Sequence, residues 1–331
     1  MHLKSLLSLA FILVFSAGVT AQGILPNFGS SRSGTAGYQF TKISVDPRAA
    51  AMGNSSIADT YDGAALYWNP ALAARADRSQ FYASHTAYFV DISMNYIAYI
   101  HRFRGFSLGA SLQYLDSGDI NETTEFNPTG TGRTFKTVHL SAGLTIAQNL
   151  TELFSYGLTL RYLDERIEEI SIPTAAVDFG FFYQVGDTGL RFAVGINNFG
   201  FDASPSGTTS RTTLDGVVEE SDFEEVPLPT TFNLGAAFDA YERDNHRIIV
   251  TAQVSNPSDN SERLSIGSEY SFMEQFHVRA GYQFGQDEFS IPSFGVGFDL
   301  PFGPRSVGFD YGFTTFDRLG SIHRLAMKIT L

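Results

Sequence analysis

The chain has 331 residues, with 35 acidic and 22 basic side chains, a formal charge of -13 and no cysteine. The excess of acid excludes a strongly basic nucleic-acid footprint, and the lack of cysteine excludes a disulfide framework and thiol chemistry. Phenylalanine (30) and tyrosine (15) supply nearly all the aromatics, beside 31 glycines. Aromatic girdles and glycine-rich strands are common in membrane barrels.

At the N-terminus Lys4 precedes an apolar run from Leu6 to Val14, extended by Phe15, and Val19-Thr20-Ala21 forms a cleavage site before Gln22. Residues 1–21 therefore read as a secretory signal peptide. The run is shorter than the ~20 residues a spanning helix needs. No cysteine follows the cleavage point, which excludes a lipoprotein signal.

Residues 22–79 read as a non-strand segment rich in Gly, Ala and Ser, with Arg48, Arg75 and Arg78. Small side chains let backbone pack closely. Asn69-Pro70 favours a tight turn, because the proline holds Asn69 out of the helical region. A compact segment of this length is expected to fit inside a barrel lumen as a plug.

From residue 80 to Leu331 runs a ladder of alternating apolar and polar residues. Phe106, Leu108, Ala110, Leu112 and Tyr114 share one strand face, and Ser107, Gly109, Ser111 and Gln113 share the other. The pattern returns at Val307-Phe309-Tyr311-Phe313 and at Leu325-Met327-Ile329-Leu331. Strands are expected near 80–90, 93–103, 106–116, 135–147, 154–166, 171–185, 189–198, 229–239, 246–255, 262–271, 275–284, 291–300, 305–314 and 322–331. In water a sheet with one apolar face needs a second layer, and no helix-period segment exists to supply one. The expected fold is all-β: a transmembrane antiparallel β-barrel of about 14 strands, its apolar face in lipid. The chain then divides into signal peptide (1–21), plug (22–79) and barrel (80–331).

With both barrel ends in the periplasm, every second connection faces that side, and all of these are short. The two longest, 117–134 and 199–228, fall on the outer side, as in outer-membrane barrels. Loop 199–228 is acidic, with Asp202, Asp215, Glu219, Glu220, Asp222, Glu224 and Glu225 against Arg211. It reads as a solvated loop or as a gate or docking segment, and it has no EF-hand spacing.

The same phase points Arg161, Asp178, Arg191, Glu269, Arg279, Asp299, Asp310 and Lys328 into the lumen. On the lipid face an Arg or Lys would cost about 2–4 kcal/mol at midplane. Inside, these charges read as pairs that hold the plug and fill the lumen, or as a selectivity lining. Asp46, Arg48 and Asp62 of the plug are expected partners.

Catalytic readings find little support. The histidines are scattered without metal-ligand spacing. His139 and Ser141 share a strand face, but no carboxylate is tied to them in the sequence. Asp164-Glu165 and Glu168-Glu169 read as a solvated hairpin end. There is no P-loop, dinucleotide fingerprint or metal motif, so no catalytic residue, metal or cofactor is expected.

The chain resembles the PorV/PorQ family of outer-membrane barrels, itself similar to the FadL-type fatty-acid channels. The resemblance rests on Arg48-Ala-Ala-Ala-Met52-Gly53, on Trp68-Asn69-Pro70-Ala71, on Phe89 to Tyr96 at the first hairpin, and on the terminal strand. It implies a fourteen-stranded barrel with an N-terminal hatch carrying the motif Arg48, Trp68, Asn69, Pro70 and Ala71. It also implies a non-catalytic component or cargo-binding adaptor of the type IX secretion system, in the outer membrane of a Gram-negative, Bacteroidetes-like bacterium. The implied partners are outer-membrane lipid, the secretion translocon and the C-terminal domains of secreted proteins, with no nucleic acid. The FadL likeness implies an alternative, a channel for hydrophobic small molecules. Many such barrels end in Phe and this chain ends in Leu331, which keeps an apolar terminal residue, so membrane insertion is expected to survive.

Overall fold

The computed structural model describes residues 34–331, apart from 169, 207–208, 213–217, 222 and 286–290. The signal-peptide reading and residues 22–33 lie outside the described residues, as do Asp215 and Asp222 of loop 199–228.

Fourteen strands form the wall: β1 (Gln80–Ala87), β2 (Ser93–Arg102), β3 (Phe106–Asp116), β4 (Thr137–Asn149), β5 (Phe154–Ile167), β6 (Ile170–Gln184), β7 (Leu190–Gly200), β8 (Thr231–Arg243), β9 (His246–Pro257), β10 (Arg263–Phe272), β11 (Phe276–Phe284), β12 (Ser293–Phe302), β13 (Arg305–Phe316) and β14 (Gly320–Thr330). Each pairs antiparallel with its chain neighbours, and β1 closes the barrel on β14 from Gln80↔Thr330 to Ala87↔His323. Closure leaves no unpaired edge, which hydrocarbon would not tolerate. The alternation has the expected sense: on β3 Ser107, Ser111 and Gln113 are buried, while Leu108, Leu112 and Tyr114 are exposed.

Each expected strand is present, with its ends shifted by a few residues. The largest extension is in β8, which continues to Arg243 through a register shift between Asp239 and Tyr241. A bulge inserts a residue and breaks the period of two, so the alternation stops where the strand does not. Both long outer loops carry pairing that the sequence reading left as loop. Ile120–Asn121 pairs with Thr134–Phe135, and Thr209–Thr212 pairs with Val218–Ser221.

Residues 38–76 line the inside of the wall. A 3-10 turn (Gln39–Lys42), helix α1 (Pro47–Ala51), helix α2 (Ala65–Trp68) and a second 3-10 turn (Pro70–Arg75) carry them. Helix α1 packs on β11 to β14, and Pro70–Arg75 packs on β3 to β6, so the segment spans the lumen between separate parts of the wall. Capping explains these short helical pieces, which no period in the sequence announces. Asp46 accepts a hydrogen bond from the Arg48 N–H, with Pro47 following, and Asn69 accepts one from the Ala71 N–H, with Pro70 following. An Asx cap followed by proline is a helix start signal. Asn69 is extended, at φ -156° and ψ 108°.

Candidate functional site: the charged lumen

The luminal segment reaches the wall where the wall lacks side chains. On the inward face of β5, β6 and β7, Gly157, Gly180 and Gly195 stand opposite one another. A Cβ at Gly157 would overlap Pro70, and one at Gly180 would overlap the Asn69 side chain. Asn69 uses the close approach: its Nδ2 donates to the Phe181 carbonyl of β6 and to the Ile57 carbonyl, both at 3.2 Å. A second trough of Gly267, Gly281, Gly295 and Gly312 receives Met52, Gly53, Ala51 and Pro47. Trp68 is half-buried beside Tyr67, with ring centroids 5.1 Å apart, and its buried Nε1 lacks a hydrogen-bond partner.

Between the troughs runs a continuous chain of alternating charge. On the wall, Asp299 lies between His277 (3.0 Å) and Lys328 (3.1 Å), and Lys328 reaches Asp310 at 3.8 Å. Asp310 and Glu269 each hold Arg279, both at 2.5 Å. Glu269 also meets Arg48 of α1 at 2.8 Å. Arg48 is bound to Asp59 at 2.6 Å, and Asp59 meets Arg191 of β7 at 3.1 Å. Arg191 continues to Asp239 (2.8 Å), and Asp239 to Arg247 (2.9 Å). Two luminal residues, Arg48 and Asp59, thus bridge charges on separate parts of the wall. Each buried charge of this chain of pairs has an opposite neighbour, the condition under which burial is tolerated.

Of the eight charges assigned to the lumen, Arg161, Asp178, Arg191, Glu269, Arg279 and Asp310 are buried, and Asp299 and Lys328 are partly buried. Six of them, Arg191, Glu269, Arg279, Asp299, Asp310 and Lys328, join this chain through Arg48 and Asp59. Arg161 and Asp178 form a separate pair at 2.5 Å, and Arg161 also donates to the Leu66 carbonyl of α2 at 3.0 Å. Asp46 and Asp62 form no ion pair among the described residues. Asp46 Oδ1 accepts from the Arg48 N–H (2.9 Å) and the Tyr82 hydroxyl (3.4 Å), while its buried Oδ2 has no partner. Burial, with the nearby Asp62 carboxylate adding to it, pushes the Asp46 carboxyl up to about 7, and burial also raises Asp62. Arg48 is held well above its ordinary range by Glu269 and Asp59, which overcome the cost of its burial.

Sequence reasoning missed Asp59, Asp239, Arg247 and Arg324. The strand phase contained the signal for Arg324, which faces inward with Lys328 and donates to the Ser44 carbonyl at 3.1 Å. Asp59 is on no strand and had no such signal. At the outer mouth Lys42 and Gln39 bind Asp259 of the β9–β10 connection at 2.7 and 2.6 Å. The structure also corrects the reading of the β5–β6 hairpin. Asp164 is buried and bound by Arg166 (2.7 Å), and Glu165 lies 3.2 Å from His139 Nδ1, so neither is a solvated loop residue and a carboxylate does stand beside His139. Ser141 instead accepts from Arg161 at 3.4 Å, with no bond to His139.

A family model described as type IX secretion system protein PorV matches residues 28–257. The chain belongs to the PorV family. No curated protein matches it. Solved structures agree on the architecture. The toluene transporter TbuX of Ralstonia pickettii is 13% identical, with a TM-score of 0.59 over 86% of this chain and 96% of that one. The Pseudomonas putida toluene transporter TodX is 16% identical, with a TM-score of 0.59 over 86% and 96%. A Pseudomonas aeruginosa FadL homologue is 12% identical, with a TM-score of 0.53 over 92% and 99%. At such identities the likeness establishes the fold. PorV membership and the FadL-like barrel together place the protein in the Gram-negative outer membrane, as a component of type IX secretion.

Proposed function

We propose that this PorV-family barrel is a non-catalytic adaptor that holds secreted cargo, through its C-terminal domain, beside the translocon, and that residues 22–79 act as a plug. The carrying observation is the family match joined to a lumen crossed by buried ion pairs. A channel for hydrophobic molecules needs an apolar path. Here the cavity at the periplasmic mouth, about 540 Å³, is lined by Arg48, Asp59, Asp62, Glu269, Asp299 and Lys328 among others. Docking then falls to the outer loops, since a closed wall offers no strand edge. Phe126 in loop 117–134 and Phe201 in loop 199–228 are 92% and 87% exposed, and exposed aromatics are apt anchors for a partner.

The test is a gentle detergent pull-down of tagged protein from outer membranes, with mass spectrometry of proteins and lipids. Co-purifying translocon components, or secreted proteins sharing one C-terminal domain, are expected. A lone barrel carrying a fatty acid or similar hydrophobe would move the assignment to transport. Deletion of loop 199–228 is expected to reduce secretion, and unchanged secretion counts against the adaptor.

A further inference from the structure

The outward wall over the closing seam has an unusual surface. A groove of about 1020 Å³ crosses β11 to β14, β1 and β2 on the outward face. Along one cross-strand row stand Phe298, Phe309, Met327, Ala83 and Ile97, each opposite the next. Ala83 is the small member, and the groove dips over it. Apart from Arg305, at the periplasmic end of β13, the outward positions of these six strands carry no Asp, Glu, Lys or Arg among the described residues.

The groove has a polar end. His85 Nδ1 lies 2.8 Å from Asn95 Oδ1, and His323 Nδ1 lies 2.8 Å from the Tyr311 hydroxyl; both pairs are exposed. His323 stands opposite Ala87, next but one to His85, so the two imidazoles are diagonal neighbours on one face of β1 and β14. Each pair engages Nδ1 and leaves Nε2 without a hydrogen bond among the described residues. His85 and Asn95 lie two residues from the outer ends of their strands, Ala87 and Ser93. The cluster therefore sits toward the outer leaflet, with the apolar groove extending inward below it. Polar groups on a lipid-facing wall are costly against acyl chains, but they suit a headgroup. A phosphate favours the cationic imidazole and accepts charge-assisted hydrogen bonds from it. Six adjacent strands at 4.7–4.9 Å spacing make a face roughly 25 Å wide, room for several acyl chains side by side.

We propose that this groove binds a phosphorylated, multiply acylated glycolipid of the outer leaflet, with its phosphate at His85 and His323 and its acyl chains over Ala83, Phe309 and Met327. The inference needs only the outer-membrane location and is independent of the adaptor role.

The test uses the full-length barrel, delipidated in mild detergent, reloaded with lipid A and read by native mass spectrometry. Wild type is expected to keep one lipid A at detergent levels that strip phosphatidylglycerol. Dephosphorylated lipid A should be held about tenfold more weakly, the loss of one charge-assisted hydrogen bond. The double variant His85→Ala, His323→Ala should lose lipid A to a similar degree, and Ala83→Trp should exclude its chains, each checked for a heat-modifiable folded barrel. The wild-type comparison of phosphorylated and dephosphorylated lipid stands even if a variant fails to fold. Equal retention of the two lipid A forms, or of lipid A and phosphatidylglycerol, would mean annular lipid only and would overturn the proposal. So would a protein partner found covering His85 in the native membrane.

Discussion

Arg48 and Glu269, 221 positions apart in the chain, meet at 2.8 Å inside the barrel. The contact joins the luminal segment to β10, and Asp59 extends it to Arg191 of β7. Replacing Arg48 with Met is expected to leave Glu269 and Asp59 undercompensated. Breaking a buried pair from one side costs about 3–5 kcal/mol. Urea unfolding in lipid vesicles should show that loss, and single-channel recording should show increased conductance if the segment plugs the lumen. A variant with unchanged stability would mean that the wall chain holds without its bridge.

Asn69 tests the other trough. Its side chain caps the turn at Ala71 and donates to two carbonyls, of Ile57 and Phe181. Asn69→Ala is expected to lose about 1 kcal/mol for the cap and about 1–3 kcal/mol more for the stranded carbonyls. Asn69→Asp keeps the cap acceptor but loses both donors, so it should be no better than Ala by the same unfolding measurement.

The glycines beneath that motif make a graded prediction. At Gly180 an added methyl meets Asn69 Oδ1 and Pro70, which a cap and a ring hold in place, whereas at Gly195 its one tight neighbour is Ile57 Cδ1 at 3.1 Å, the end of a flexible side chain. Overpacking costs about 1–3 kcal/mol where neighbours cannot move. Gly180→Ala should therefore lower the unfolding midpoint clearly more than Gly195→Ala. Equal effects would mean that the luminal segment shifts freely against the wall.

The wall was legible in the sequence because membrane strands alternate strictly. The same phase that put Leu108 and Leu112 outside put Glu269, Arg279 and Asp310 inside. It failed where the period breaks, at the bulge near Asp239, and where no period exists, at Asp59. Asn69-Pro70 announced a turn, but the capped 3-10 turn it starts became visible only with the β5–β7 glycines that receive it. Wall glycines such as Gly157 and Gly281 read in sequence as composition, since what a missing side chain admits is decided by contacts more than eighty positions away.

The buried carboxyl of Asp46 links stability to pH. Burial, reinforced by Asp62, raises it to about 7 in the folded protein, against an ordinary value of about 3.9 when unfolded. Between these values the folded state binds more protons, so its stability falls as pH rises. The contribution is complete below about pH 3.9 and is lost as pH passes through 7. Asp259 has the opposite sign. Although burial pushes its carboxyl up, hydrogen bonds from Lys42 and Gln39 hold it below the ordinary range, so its contribution is present above about pH 3.9 and is lost in stronger acid. Asp46→Asn preserves the cap acceptor for the Arg48 N–H and carries no charge. It is expected to flatten the fall in stability between pH 4 and pH 7 and to be more stable than wild type at pH 8, while the acid loss assigned to Asp259 remains. Urea midpoints taken across this range for both proteins check the sign directly: an undiminished slope in the variant would assign the titration to Asp62 instead.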